Sequence, residues 1–163
     1  MTANSLFQAS EILDMAVHIE KQGLAFYEAC LYSQADSGVK EVFQYLKDQE
    51  QEHARVFSHM KEGLKQDYSL PESYPGEMQN YIDDFVKGKV FQDPAQASKK
   101  GSEIRDVLEA IDFGLEIEKA SILFYSGMKQ FVRASDWEEV ERVLAEEQAH
   151  VRRLLSLRKD QKG

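Results

Sequence analysis

Two copies of a Glu-x-x-His motif, 97 residues apart, are the residues of this chain best suited to metal chemistry. The first copy is EQEH at 50–53 and the second is EQAH at 147–150, in a chain with only four histidines. In an α-helix, positions i and i+3 lie on one face, so each glutamate points the same way as its histidine. One such motif means little because glutamate is common on helices, but two copies indicate a metal site.

The two motifs belong to an internal repeat. Residues 11–29, EILDMAVHIEKQGLAFYEA, align with residues 109–127, EAIDFGLEIEKASILFYSG, at an offset of 98. Both segments carry Ile-Glu-Lys followed by Phe-Tyr, which adds one further glutamate to each half, Glu20 and Glu118. We therefore interpret the chain as a duplicated helical hairpin, with repeats at 4–66 and 102–160 and a crossover at 67–101.

Antiparallel packing of the two hairpins would bring their inward faces together. The resulting site has four carboxylates and two imidazoles, a ligand set that suits two iron or manganese ions. Two divalent ions balance four carboxylates, which would be strongly unfavourable if buried together without metal. The same arrangement is known in di-iron carboxylate bundles. The predicted metal ligands are Glu20, Glu50, His53, Glu118, Glu147 and His150.

Helical periodicity and proline placement predict the elements that position these residues. The three prolines all lie between residues 71 and 94, so both flanks are free to form long helices. Apolar spacing predicts helices at about 4–32, 37–66, 102–131 and 135–159, with a short helix at about 76–87. Two antiparallel hairpins joined by a long crossover are typical of a ferritin-like four-helix bundle. The predicted fold is therefore all-α, in a single domain over residues 1–163.

Composition excludes several classes of protein. A net charge of −9 argues against nucleic-acid binding, which needs a basic surface. No apolar run of about 18 residues is present, so we expect no membrane span. The N-terminal residues lack the pattern of a secretory signal, which leads us to expect a cytoplasmic protein. A single cysteine, Cys30, excludes an internal disulfide and a Cys-x-x-Cys centre within this chain.

The sequence resembles the rubrerythrin-like branch of the ferritin-like di-iron family. The resemblance rests on I-E-K-x4-F-Y and E-Q-x-H, each present twice in the family's order, and covers all four predicted helices. It implies the six metal ligands named above. It also implies that Tyr27 and Tyr125, seven residues after Glu20 and Glu118, are hydrogen-bond partners near the metals.

The chain departs from rubrerythrin in two ways. It has no Cys-x-x-Cys rubredoxin module, so an electron donor must be another molecule. Rubrerythrin also has an additional glutamate three residues after its first helix-three ligand. Ser121 takes that position here, mirrored by Gly23 in the first half. These small residues predict a near-symmetric, six-ligand site with open space beside the metals.

The resemblance implies a non-haem di-iron oxidoreductase that reacts with hydrogen peroxide or dioxygen and needs an external donor such as a rubredoxin. Three alternatives remain open: a ferroxidase or iron-handling protein, a non-catalytic metal-binding bundle, and a hydroxylase of an organic substrate. Manganese or a mixed pair is an alternative to two iron ions. A homodimer is expected because related bundles commonly pair.

Other polar residues carry weaker predictions. Asp14 and Asp112 also repeat, and they either orient a ligand histidine or have capping or surface roles. His18 and His59 have no counterparts in the repeat and are expected to contact solvent. Glu77, in the crossover, is a minor candidate ligand.

Overall fold

The structure, a computed structural model, describes residues 8–64, 80, 94–129 and 132–163. The helices formed by these residues confirm the predicted all-α class. None of the described helices is both long and apolar enough to cross a membrane. The helices are α1 (Ala9–Ser33), α2 (Ser37–Glu62), α3 (Pro94–Glu103), α4 (Val107–Met128) and α5 (Trp137–Asp160), with a short 3-10 turn at Ala134–Asp136 before α5.

The long helices form two antiparallel hairpins, α1 with α2 and α4 with α5. Asp36 ends the first turn and caps α2, because its Oδ1 atom accepts a hydrogen bond from Val39 N at 2.8 Å. The hairpins then face each other, with α2 against α4 and α5. Gly114 of α4 permits this approach, since a Cβ atom there would lie 2.9 Å from Leu46 Cδ2 of α2.

The repeated aspartates join the two helices of their own hairpins. Lys61 Nζ of α2 donates to Asp14 Oδ1 of α1 at 2.5 Å. In the second hairpin, Arg158 of α5 donates to both carboxylate oxygens of Asp112 of α4. The two pairs lie at matching positions of the repeat. The structure therefore favours the surface role of these aspartates over the orientation of a ligand histidine.

The third predicted helix begins later than expected. The sequence pattern predicted one helix over 102–131, but the structure has two, with α3 ending at Glu103 and α4 spanning Val107–Met128. Asp106 breaks the run because its Oδ1 atom accepts from Glu109 N at 2.9 Å and caps α4. The short helix predicted at 76–87 lies outside the described residues apart from Asn80, which is helical.

Gln34 fastens the end of α3 to the turn between α1 and α2. Its buried Nε2 atom donates to Gly101 O at 2.8 Å and to Ile104 O at 2.9 Å. Its Oε1 atom accepts from Ala35 N and Asp36 N at 2.8 and 3.0 Å. One amide thus satisfies backbone groups that are about 70 residues apart in sequence.

α3 lies unusually close to α1 at Gly101. A Cβ atom added there would lie 2.5 Å from Cys30 Cα, so only glycine permits this approach. Cys30 is buried, and its thiol donates to Ala97 O at 3.3 Å. The helix that precedes the second hairpin therefore packs on the first hairpin.

Candidate metal centre

The six predicted ligands lie together between the four long helices. They are the only acidic and histidine side chains that are buried in the described part of the chain. α1 and α4 each contribute one glutamate, and α2 and α5 each contribute a Glu-x-x-His pair. The exposed fractions are 2% for Glu20, 3% for Glu50, 3% for His53, 2% for Glu118, 1% for Glu147 and 0% for His150.

One group of ligand atoms combines both halves of the repeat. His53 Nδ1 lies 3.4 Å from Glu20 Oε2 and 3.5 Å from Glu147 Oε1. One ligand atom from each of these residues lies within 4.8 Å of the other two. Because Glu147 comes from α5 while the other two come from the first hairpin, this group forms only where the hairpins meet.

The remaining ligands extend this group into a continuous cluster. His150 Nδ1 lies 2.7 Å from Glu118 Oε1. The two imidazole rings are perpendicular, with centroids 5.1 Å apart. Glu20 is close enough to Glu50 to share a hydrogen bond, and the same holds for Glu118 with Glu147. The site is therefore one cluster rather than two separate pairs.

Several polar atoms in the cluster have no hydrogen-bond partner among the described residues. Such atoms are rare in native interiors, and each costs about 1–3 kcal/mol when left unsatisfied. Here they are ligand atoms that face one another, so bound cations would satisfy them together. Carboxylate oxygens and imidazole nitrogens fit iron or manganese. The unpartnered atoms are Glu20 Oε2, His53 Nδ1, Glu118 Oε1, Glu147 Oε1 and both ring nitrogens of His150.

Burial and mutual repulsion change the protonation of the cluster. Burial, followed by neighbouring carboxylates, raises the pKa of Glu20, Glu50 and Glu147 well above the usual range. The same causes raise the pKa of Glu118 to about 8. Burial, followed by the second histidine, lowers the pKa of His150 to about 3. Without metal, burial therefore favours the protonated form of these carboxyls, while His150 is the neutral imidazole that metals bind.

The two predicted tyrosines are fully buried but differ in their contacts. Tyr125 donates to Glu20 Oε1 over a long 3.5 Å, so it contacts the glutamate of the other half rather than Glu118 of its own helix. Tyr27 has no hydrogen-bond partner for its hydroxyl within the described ranges. Burial raises the pKa of both phenols well above the usual value. The proposed role of Tyr27 stays a prediction.

The remaining candidates from the sequence differ in how exposed they are. Ser121 and Gly23, the small residues of the predicted open side, are both buried. His59 is exposed, as expected, whereas His18 is only partly exposed. Glu77 lies outside the described residues.

Two aromatic neighbours of the site histidines were not predicted. The Phe57 ring lies 5.7 Å from the His53 ring, and the Tyr45 ring lies 6.2 Å from the His150 ring. Neither aromatic residue is matched in the other half of the repeat, so comparison of the halves does not reveal them. Phe57 follows His53 by four residues on α2, so helical spacing places the two side chains on one face. The approach of Tyr45 to His150 depends on how α2 and α5 pack, which helical spacing alone does not specify.

Comparison with known proteins gives two matches. The family model described as Rubrerythrin matches residues 11–158. A crystal structure from Thermotoga maritima at 2.30 Å, described as a proposed ferritin-like diiron-carboxylate protein, is 25% identical, with a TM-score of 0.57. That similarity covers 96% of this chain and 97% of the other. No curated protein matches the chain significantly. The predicted ferritin-like architecture is thereby confirmed.

Proposed function

The chain belongs to the rubrerythrin family, and from this premise we propose that it is a non-haem di-iron oxidoreductase that reacts with hydrogen peroxide or dioxygen. The observation that carries the proposal is the buried cluster of four carboxylates and two imidazoles whose unpartnered atoms converge. A purely structural cluster would be expected to pair these atoms with one another or with backbone groups.

The donor set divides naturally between two metal positions. Glu20, with the first Glu-x-x-His pair, would hold one ion, and Glu118, with the second pair, would hold the other. Glu147 lies beside His53 of the opposite half, so both hairpins would contribute to holding the pair of ions. When bound, two ferrous ions supply one electron each to the O–O bond of the oxidant.

The protein itself excludes water from the site and controls the protonation of the side chains there. The six ligands are at most 3% exposed, which strengthens electrostatic interactions within the site. Tyr125 keeps its proton because burial raises its pKa, so its hydroxyl can donate to Glu20 and hold that carboxylate in place. Because metal binding must displace the protons of the carboxyls, we expect metal affinity to rise with pH.

We propose that the reductant is a separate protein such as a rubredoxin. Cys30 is the only cysteine, and burial raises its pKa to about 12, so it is unsuited to redox exchange. A cytoplasmic location and a homodimer belong to the same proposal, on the basis of the sequence and of related bundles.

The proposal is tested by separating oxidation from reduction. Anaerobic diferrous protein is mixed with peroxide in a stopped-flow absorbance experiment, and the oxidised product is then mixed with a rubredoxin-type donor. His150→Ala removes a predicted ligand, and His59→Ala is the matched control on the exposed surface. We expect the wild type and His59→Ala to oxidise faster than His150→Ala and to be reduced again by the donor.

Two other outcomes would replace the proposal. Equally slow oxidation of the wild type and His150→Ala would favour a non-catalytic metal-binding bundle. Fast oxidation that no donor reverses would favour iron handling, and the size of the assembled particle would then show whether a mineral compartment exists.

A further inference from the structure

The two site histidines have different aromatic neighbours. His53 packs near Phe57, which is fully buried, whereas His150 packs near Tyr45, which is only partly buried. At the repeat offset of 97, the counterpart of Tyr45 is Arg142, whose guanidinium forms exposed ion pairs with its own helix. A polar aromatic residue therefore stands beside one histidine and not beside the other.

The ring of His150 presents its two nitrogens to different surroundings. Nδ1 lies 2.7 Å from Glu118 Oε1, so it faces the carboxylates and is placed to bind an ion. Nε2 lies on the opposite side of the ring, is fully buried, and has no hydrogen-bond partner among the described residues. A histidine that binds metal almost always donates its other ring N–H to a fixed partner. A hydrogen-bond acceptor for Nε2–H is therefore expected near this side of the ring.

Tyr45 is the polar side chain described against this ring. Its ring lies 6.2 Å from the His150 ring and the residue is only partly buried, so Tyr45 lies at the edge of the buried cluster. Arg153 is exposed and donates to Gln49 Oε1 at 2.9 Å, which holds the guanidinium beside α2. Because Tyr45 is only partly buried, a water molecule can reach its side chain.

We propose that Tyr45 is a positioning residue for His150, with its hydroxyl accepting the Nε2–H hydrogen bond through one bound water. The bridging water has two polar partners, the phenol and Nε2–H, which is the minimum for a buried water. This interaction keeps the proton on Nε2 and leaves the Nδ1 lone pair free for an ion. Tyr45 does not touch the ion or the oxidant.

The consequence is that the two metal positions are not equivalent. Only the ion held by His150 depends on Tyr45, because the ring beside His53 has no polar group. Loss of such an outer partner typically weakens metal binding about 10–100-fold. This inference rests on the proposed function only in requiring that the site holds two ions, not in requiring that the ions react.

The experiment measures Co(II) binding by optical titration of the metal-free protein. Tyr45→Phe removes the hydroxyl and keeps the ring, and Tyr32→Phe makes the same change on a side chain that is 80% exposed. We expect Tyr45→Phe to weaken one of two ions by about tenfold or more and to leave the other unchanged. Tyr32→Phe should match the wild type.

A second measurement reports the hydrogen bond itself. Zinc-loaded protein with ¹⁵N-labelled histidine should show a slowly exchanging Nε2–H resonance for His150 in the wild type. Tyr45→Phe should shift this resonance or broaden it through exchange with solvent, and Tyr32→Phe should leave it unchanged. Circular dichroism confirms that each variant is folded, and a variant with lost helicity is replaced by Tyr45→His, which keeps a polar ring and should restore binding in part.

The possible results separate this inference from the proposed function. Unchanged binding of both ions in Tyr45→Phe, equal weakening of both, or weaker binding with an unchanged Nε2–H resonance would each overturn the role of Tyr45. A wild type that binds fewer than two ions would overturn both proposals. Two ions that bind as expected but do not react with peroxide would overturn the proposed function alone.

Discussion

Glu147 Oε1 lies 3.5 Å from His53 Nδ1, although the two residues belong to opposite halves of the repeat. Glu20 completes this group from a third helix, so α1, α2 and α5 all contribute ligand atoms within 4.8 Å. Metal binding at this point requires both hairpins in their packed arrangement. Occupancy of the site and association of the hairpins should therefore be thermodynamically coupled.

We expect the folded protein to bind close to two transition-metal ions per chain, because its donor set resembles that of di-iron carboxylate bundles. Glu50→Ala and Glu147→Ala should each lose metal, whereas His18→Ala and His59→Ala should not. Elemental analysis after anaerobic reconstitution with iron measures this. One ion or fewer on a folded wild-type chain would be decisive evidence against the site.

Bound metal should raise the melting temperature, because the cluster exists only in the folded state. Metal at about 1,000 times its dissociation constant stabilises the folded state by about 4 kcal/mol. Differential scanning calorimetry of metal-free and metal-loaded protein at pH 7 provides the comparison. Coincident melting curves would contradict the coupling between the site and the fold.

The metal-free protein should become less stable as pH rises above about 6.5. Glu118 has a folded-state pKa of about 8, above its unfolded value, so its stabilising contribution is lost as pH rises through about 8. This group alone accounts for about 1–2 kcal/mol between pH 6.5 and 8, and the other raised carboxyls act in the same direction.

The site histidine does not reverse this trend. The pKa of His150 is lowered to about 3, so its contribution is complete above about pH 6.5 and is lost only at lower pH. Melting temperatures of metal-free protein at pH 6.5 and 8 test the prediction, with metal-loaded protein as the control. A metal-free form that is more stable at pH 8 would show that the cluster is not protonated as described.

Removal of the repeated ion pair should affect stability slightly and metal content not at all. Asp112→Asn weakens the contact with Arg158, but both side chains are about one-third to one-half exposed, so the expected loss is at most about 1 kcal/mol. Asp14→Asn should behave in the same way. Urea denaturation and elemental analysis measure the two effects, and a loss of metal in either variant would indicate that the aspartates orient the ligands after all.

Gly101→Ala should destabilise the protein by about 1–3 kcal/mol, because its methyl group would meet Cys30 Cα at 2.5 Å and the helix backbone cannot easily move. Gly127→Ala is the matched control. It also lies in a helix but meets nothing within 4 Å, so higher helix propensity should stabilise it by up to about 1 kcal/mol. Equal effects in the two variants, measured by urea denaturation, would contradict the close packing of α3 on α1.

The sequence predicted the six clustered residues because the chemistry depends on spacing that is visible along the chain. Glu50 and His53 share a helix face by geometry alone, and the repeat supplied their counterparts. The lengths of the long helices were also close to those observed, because apolar periodicity reports which face is buried.

Other features were less accessible to sequence reasoning. The break between α3 and α4 was missed because no glycine or proline separates them; the signal was the capping pair Asp106 and Glu109. Comparison of the two halves did not reveal Tyr45 and Phe57, because such a comparison shows only the residues that both halves share. These two residues distinguish the halves. Phe57 lies beside His53 through i, i+4 spacing on α2, whereas only the packing of the hairpins brings Tyr45 to His150.

Because α3 packs on α1, the covalent crossover is not the sole connection between α3 and the first hairpin. Gln34 and the glycine contact at residue 101 attach α3, which leads into the second hairpin, to the first hairpin independently of the peptide chain between residues 64 and 94. A protein nicked between residues 64 and 94 should therefore remain a single particle. Two separately produced fragments that meet at such a nick should reassociate, with α3 providing the recognition between them.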